Sequence, residues 1–184
     1  MIEQLLGKLG RCLDDHNIPY MVIGGQAVLL YGTPRLTRDI DITLGVDTDK
    51  LGAIDNVCET LGLDILPDDG EAFAEETKVL PAEDAQLRIR VDFIFSFTAY
   101  EAKAIGRAKH VMMGGHPVKF ASCEDVIVHK MIAGRAIDEE DVRNMLTKNE
   151  GQLDLGYIRK WLLEFSSIPD HEAVLDRFEG ILRQ

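Results

Sequence analysis

Hydrophobic and polar positions follow two different periods along the chain, and each period predicts a different kind of element. Leucine and isoleucine recur every third or fourth residue between positions 2 and 13, which predicts an amphipathic helix ended by Asn17 and Pro19. Apolar and polar residues alternate over 86–97, the pattern of a half-buried strand. The short apolar segments 20–23 and 38–44 predict two more strands.

Helical periodicity dominates the last third of the chain. The predicted helices there cover 123–133, 139–148, 155–165 and 171–182. Before them, the pattern predicts a helix capped by Thr48 that extends to 61, a turn at 67–70, an irregular stretch or strand at 73–80, and a hairpin of 108–112 with 117–120. We therefore expect a mixed α/β portion over 1–121 and a helical portion over 122–184 that packs on it.

Composition narrows the class of protein. The chain has 184 residues, 46% of them hydrophobic, which suits an ordinary globular domain. It has neither a long apolar run nor the start of a signal peptide, so we expect a cytoplasmic protein without a membrane partner. Three cysteines without Cys-x-x-Cys spacing argue against a disulfide scaffold or structural zinc. The net charge of −12 disfavours a non-specific nucleic-acid binder.

Two carboxylates one residue apart carry the strongest chemical signal. Asp39 and Asp41 alternate with Ile40 and Ile42 in a predicted strand. Alternate residues of a strand share a face, so the two carboxylates are expected roughly 6 to 7 Å apart on one side of the sheet. That placement is unfavourable unless a cation lies between them, and Mg²⁺ suits hard oxygen ligands and substrate phosphates. The pair predicts a metal-dependent phosphoryl or nucleotidyl transfer site.

The surrounding residues match a known family over about residues 20 to 141. The first motif is Gly24-Gly25 followed by Arg35-x-Thr37-x-Asp39-x-Asp41, with Asp92 in a later strand. The second is the run from Glu124 through Lys130 to Asp141. Together they resemble the nucleotidyltransferase superfamily, and most closely its branch of AbiE-type toxins. That superfamily often has Gly-Ser at the first motif, so the second glycine removes a hydroxyl sometimes used at the phosphate.

The resemblance implies a fold, a reaction and a set of site residues. The fold is an α/β (α+β) polymerase-β-like core with a mixed sheet and helices, plus a C-terminal helical portion. The reaction is Mg²⁺-dependent, or Mn²⁺-dependent, transfer of a nucleoside monophosphate from an NTP to a hydroxyl, with release of pyrophosphate. The implied catalytic and metal-binding residues are Asp39, Asp41 and Asp92; the implied nucleotide-binding residues are Gly24, Gly25, Arg35, Thr37 and Lys130.

The acceptor and partners stay open at this point. The resemblance implies a tRNA 3′ end as acceptor and an antitoxin protein as partner, whereas the acidic composition favours a small hydroxyl compound over an extended RNA surface. A protein hydroxyl is also open. Two alternatives are a catalytically silent nucleotide-binding or toxin–antitoxin partner module of the same fold, and an interaction protein built on the helices of 122–184.

Each candidate residue also has a structural interpretation. Gly24 and Gly25 suit an ordinary turn. Lys130 lies in an apolar stripe of its predicted helix, from which a lysine side chain can extend to solvent. The carboxylates suit simple ion pairs with neighbouring arginines: Asp39 and Asp41 with Arg35 and Arg38, and Asp92 with Arg88 and Arg90.

Overall fold

The computed structural model describes residues 1–96 and 98–183. Its strands form one mixed sheet in the order β3-β4-β5-β2-β1-β7-β6. The strands are β1 Tyr20–Ile23, β2 Ile40–Leu44, β3 Leu63–Ile65, β4 Val79–Asp84, β5 Ile89–Phe95, β6 Lys109–Met113 and β7 His116–Phe120. Strand β2 therefore lies in the middle of the sheet, antiparallel to β1 on one side and parallel to β5 on the other.

Helices surround the strands in the first two thirds of the chain and make up the last third. The earlier ones are α1 Ile2–Asp15, α2 Gly24–Tyr31, a 3-10 turn Thr48–Lys50, α3 Leu51–Leu61, α4 Gly70–Thr77 and α5 Ala99–Gly106. The later ones are α6 Cys123–Ala133, α7 Ala136–Lys148, α8 Leu155–Phe165 and α9 Val174–Leu182. None of the described helices is both long enough and apolar enough to cross a membrane.

The described residues divide into two compact units. The first unit contains Met1–Gln26 and Thr37–Ala121, and so holds the whole sheet. The second contains Ala27–Leu36 together with the described residues from Ser122 onward. Along the chain, the second unit begins within α2, is interrupted between Thr37 and Ala121, and resumes at Ser122. The expected division into a core of 1–121 and a helical portion of 122–184 packed on it stays a prediction.

Each unit has its own buried core. In the first, α1 packs on β7 and on α3, and the fully buried aromatic side chains of Tyr20, Phe93 and Phe120 fill the sheet's apolar side. In the second, α6 packs against α7, α8 and α9 around buried residues that include Phe178 and Leu162. Burial of one large apolar side chain contributes about 1.5 to 3 kcal/mol, so these residues dominate the stability of both cores.

The sequence pattern predicted most elements, including the alternating strand β5. Its odd-numbered residues from Ile89 to Phe95 are buried, and Arg90 and Asp92 point away from that core face. The predicted extension of this strand to Phe97 falls on a residue outside the described ranges. The helices α6 and α8 begin and end where the periodicity placed them.

Three sequence expectations were wrong. Segment 73–80 belongs to α4 and the start of β4, because the Asp69 side chain accepts a hydrogen bond from the Ala72 amide at 2.9 Å and starts a helix there. The expected irregular stretch or strand ended at residue 80, whereas β4 continues to Asp84 across Pro81, which lacks a ladder donor. Thr48 does not cap its helix; the Asp47 carboxylate accepts from the Thr48 amide at 2.7 Å instead.

Candidate active site

Asp41 and Asp92 come together because of strand pairing. They are register partners on the parallel strands β2 and β5. Neighbouring strands lie about 4.8 Å apart and partner side chains project to the same face, so the two carboxylates face the same side of the sheet. Asp39 lies one residue before β2 and is exposed, and its backbone carbonyl accepts a hydrogen bond from the Gln26 side chain at 3.3 Å.

Gly24 forms the wall against which the Asp41 carboxylate packs. It is the first residue of α2 and has φ +62°, in the left-handed region. A Cβ at this position would lie 1.9 Å from Asp41 Oδ2. Only glycine therefore permits both the backbone conformation and the close approach of the carboxylate. This is the geometry expected where a backbone must come close to a ligand.

Gly25 has a similar relation to Thr37. A Cβ on Gly25 would lie 2.3 Å from the Thr37 hydroxyl, which therefore lies directly over this glycine's backbone. Gly24, Gly25, Thr37 and Asp41 form one cluster at the point where β1 ends and α2 begins. A hydroxyl thus stands beside the second glycine after all, supplied by Thr37 rather than by a serine in its place.

Arg90 forms an ion pair with Asp92, one of the three predicted catalytic carboxylates. Its Nε donates to Asp92 Oδ1 at 2.8 Å, with side-chain exposures of 49% for Arg90 and 19% for Asp92. The pKa of Arg90 is raised above its usual value, first by this hydrogen bond and then by the negative charges of Asp92, Asp39 and Asp41. The arginine therefore lies in the field of all three predicted catalytic carboxylates.

The carboxylate pair has the donor chemistry for a divalent cation. Mg²⁺ is commonly held by one or two carboxylates, with water and substrate phosphates filling the remaining positions. Asp41 and Asp92 supply two such ligands on one face. Over residues 1–96 and 98–183, no three or more His, Cys, Asp or Glu side chains are already gathered as a metal site. Asp41 and Asp92 thus fit an ion that shares its coordination with a substrate.

Lys130 is buried and paired within the second unit. Its side chain is 5% exposed, and its Nζ lies 2.6 Å from Asp138 Oδ1 and 3.0 Å from Asp141 Oδ2. The lysine therefore does not extend to solvent; it reaches two buried carboxylates on α7. Its predicted contact with a nucleotide stays a prediction, and the contacts it makes give it a structural role.

Arg35 pairs with Asp141, one of the two aspartates that contact Lys130. Its Nε and Nη2 donate to the two carboxylate oxygens of Asp141 at 3.3 and 3.2 Å. This paired geometry is the strong form of an arginine–carboxylate contact. Asp138 also accepts from the Arg135 side chain at 2.6 Å. Arg35 therefore pairs with Asp141, 106 residues away in the sequence.

Several contacts were beyond sequence reasoning. The sequence offered Asp138 and Asp141 as a Lys/Arg-x-x-Asp segment but gave no sign that they bury Lys130. A useful signal was available: two aspartates three residues apart share one helix face, so a lysine on a neighbouring apolar face can meet both. Gln26, which holds the backbone just before β2, carried no recognisable signal.

Solved structures share this fold over most of the chain. The solution structure of the antibiotic-resistance factor ANT(2'')-Ia has a TM-score of 0.60 and 18% identity, covering 99% of this chain and 93% of that one. An antigenic nucleotidyltransferase-like protein from Paracoccidioides brasiliensis has a TM-score of 0.55 and 16% identity, with coverage of 95% and 92%. The lincosamide antibiotic adenylyltransferase LnuA, lincomycin-bound, has a TM-score of 0.50 and 15% identity, with coverage of 72% and 89%.

These likenesses show a polymerase-β-like fold and confirm the predicted fold class. The family model described as "Nucleotidyl transferase of unknown function (DUF2204)" matches residues 3–178. The chain belongs to that family and is a nucleotidyltransferase. A comparison with curated protein sequences gave no match.

Proposed function

We propose that this nucleotidyltransferase moves a nucleoside monophosphate from an NTP to a hydroxyl group on a small acceptor, with a divalent cation held at Asp41 and Asp92. The observation that carries the proposal is the register pairing of these two aspartates beside Gly24. Carboxylates on adjacent strands, next to glycines whose backbone is open to a ligand, suit a cation bound together with a triphosphate.

The proposed step transfers one proton and exchanges one bond at phosphorus. The acceptor hydroxyl gives its proton to Asp92 as general base, and its oxygen forms a bond to the α-phosphorus. The bond from that phosphorus to the β-phosphate oxygen breaks, and pyrophosphate leaves. When bound, Mg²⁺ would supply positive charge to the phosphate oxygens. Asp41 and Asp39 orient the reacting groups, and Gly24 and Gly25 leave room for the phosphates.

Arg35, Thr37 and Lys130 have weaker support as nucleotide ligands. Thr37 lies against Gly25, so its hydroxyl is placed to donate to a phosphate that approaches this glycine. Arg35 and Lys130 are both engaged by Asp141. We therefore assign Lys130 to the support of α7 and keep Arg35 as a proposed nucleotide ligand.

A small cationic alcohol is the acceptor class best supported. A crystal structure of ANT(2")-Ia, which has a TM-score of 0.60 and 19% identity to this chain, contains adenylyl-2"-tobramycin. The LnuA structure contains lincomycin. A net charge of −12 attracts cations and repels polyanions, which favours such a molecule over a tRNA 3′ end. The tRNA acceptor is kept as an alternative that the test below separates, and an antitoxin partner stays a prediction from the resemblance.

Label transfer from an NTP tests the proposal. The protein is incubated with Mg²⁺, each α-labelled NTP in turn, and separate acceptors: aminoglycosides, lincosamides, total tRNA and the protein itself. We expect label on a small alcohol from wild type and a loss of at least about a hundredfold in Asp39→Ala. Label on tRNA instead would establish the alternative acceptor. Tight NTP binding without transfer to any acceptor would establish the catalytically silent module.

A further inference from the structure

Arg90 holds one of the proposed metal ligands through a direct ion pair. Its Nε lies 2.8 Å from Oδ1 of Asp92, the residue to which the proposed reaction assigns both a cation and a proton. Both residues lie on β5, two positions apart and on the same face. One face of this strand therefore presents a cation and a metal ligand side by side.

The Arg90–Asp92 pair reduces the negative charge on this face of the sheet. Asp41 and Asp92 face the same side of the sheet, and their charges repel one another unless a positive group reduces the repulsion. The guanidinium supplies that charge from within the chain. It is also 49% exposed and so has room to leave Asp92 for solvent, whereas Asp92 is only 19% exposed and is fixed on its strand.

We propose that Arg90 is an intrinsic competitor of the divalent cation: it occupies Asp92 in the metal-free protein and leaves when the cation binds. This inference rests on the proposed function, since it concerns the same carboxylates. A cation that must displace Arg90 binds only to the fraction of protein in which Asp92 is free. Its apparent dissociation constant is therefore the intrinsic constant divided by that fraction. The pair thus raises the concentration of metal that is needed to fill the site.

Arg88 provides a matched control on the same segment. Its Nη1 lies 2.8 Å from Glu83 Oε1, with 76% of the Arg88 side chain exposed. Arg88→Gln therefore removes the same charge, two residues from Arg90, from an ion pair of the same length. It removes neither member of the Arg90–Asp92 ion pair. A difference between Arg88→Gln and Arg90→Gln consequently reports the contact with Asp92 rather than the net charge.

Binding of Mn²⁺ without nucleotide is the measurement, made with MnCl2 by titration calorimetry and by the electron paramagnetic resonance signal of free Mn²⁺. We expect Arg90→Gln to lower the dissociation constant by about tenfold relative to wild type, and Arg88→Gln to change it by less than about twofold. Raising the salt concentration should shrink the difference between wild type and Arg90→Gln, because salt screens a half-exposed pair. Circular dichroism confirms that each variant is folded.

The outcomes separate this inference from the proposed function. If Arg90→Gln binds Mn²⁺ no more tightly than wild type or Arg88→Gln, while Asp92→Asn abolishes binding, the competitor role is wrong and the metal site stands. If Asp92→Asn binds Mn²⁺ as wild type does, Asp92 is not a ligand and both assignments to it fail. If no variant binds Mn²⁺ even with an NTP present, the metal-dependent function itself is contradicted.

Discussion

At the scale of single residues, the site depends on an absent side chain. Gly24 adopts φ +62° and leaves no room for a Cβ, since Asp41 Oδ2 would lie 1.9 Å from it. An L-residue in the left-handed region costs about 1 to 2 kcal/mol before any clash is counted. The carboxylate, rather than the backbone, must then move, and it is a ligand in the proposed reaction. Structure and chemistry therefore impose the same requirement at this position.

Replacing Gly24 by alanine tests that requirement. We expect Gly24→Ala to lower the free energy of unfolding by about 2 kcal/mol and to weaken Mn²⁺ binding, because the methyl group displaces the Asp41 carboxylate. Gly52→Ala is the control: Gly52 lies in α3, and a Cβ there meets nothing within 4 Å. The control should gain up to about 1 kcal/mol. Urea unfolding measures both, and equal stability of Gly24→Ala and wild type would refute the argument.

Sequence reasoning predicted candidate site residues but not their mutual arrangement. Alternation along 86–97 placed Asp92 opposite the apolar face, as the structure confirms. Asp41 and Asp92 are register partners because β2 pairs in parallel with β5, and these two strands are far apart in the chain. The partner of Arg35 lies 106 residues away. Local patterns hold information about faces, whereas contacts of this kind are set by tertiary structure.

At the scale of elements, buried charges tie α6 to α7. Lys130 on α6 contacts Asp138 and Asp141 on α7, and all three side chains are at most 5% exposed. Asp138 also accepts from the Arg135 backbone amide at 3.2 Å, so it satisfies the first turn of its own helix. Removing one member of a buried ion pair leaves the other without compensation and is strongly destabilising. The network therefore fixes the start of α7 against α6.

The network predicts a pH-dependent cost for Asp138→Asn. Burial opposes ionisation of Asp138, yet hydrogen bonds from Arg135 and Lys130 hold the pKa of this carboxyl below its usual value. A lowered folded-state pKa contributes stability that is full above the unfolded value of about 3.9 and is lost as pH falls through the folded value. We expect Asp138→Asn to cost about 3 kcal/mol at pH 7, and this difference from wild type to shrink below about pH 4.

Unfolding free energies measured between pH 3 and pH 8 check this prediction. Glu140→Gln is the control, because Glu140 lies on the same helix, is 61% exposed and pairs with Arg143 only at 3.6 Å. It should stay within about 0.5 kcal/mol of wild type at every pH. A cost for Asp138→Asn that is constant down to pH 3 would mean that the carboxylate charge is not the stabilising group.

Elements were predicted where they are long and periodic. The helices α1, α6 and α8 have clear apolar stripes or caps, and the sequence placed each of them closely. Helix α4 has eight residues, too few for a periodic pattern, and depends on the cap from Asp69. Strand β4 contains Pro81 yet pairs with both β3 and β5. Such elements exist because neighbouring elements hold them, which a local pattern does not reveal.

At the scale of the whole molecule, the fold and the family establish a nucleotidyltransferase, and the charge bears on its acceptor. A net charge of −12 raises the local concentration of cations near the surface. It also lowers the affinity for a long polyanion such as RNA. The paired carboxylates Asp41 and Asp92 lie within the first compact unit, so the proposed metal site is built from the sheet and its adjoining turn.

The position of the transferred label tests the central claim most directly. With a small cationic alcohol and Mg²⁺, wild type should transfer label from an α-labelled NTP and none from a γ-labelled one. Asp41→Asn and Asp92→Asn should each lose at least about a hundredfold in rate. Asp64→Asn, which alters an exposed residue of β3, should retain the wild-type rate. Transfer of the γ label, or full activity of Asp41→Asn and Asp92→Asn, would contradict a nucleotidyl transfer centred on these two aspartates.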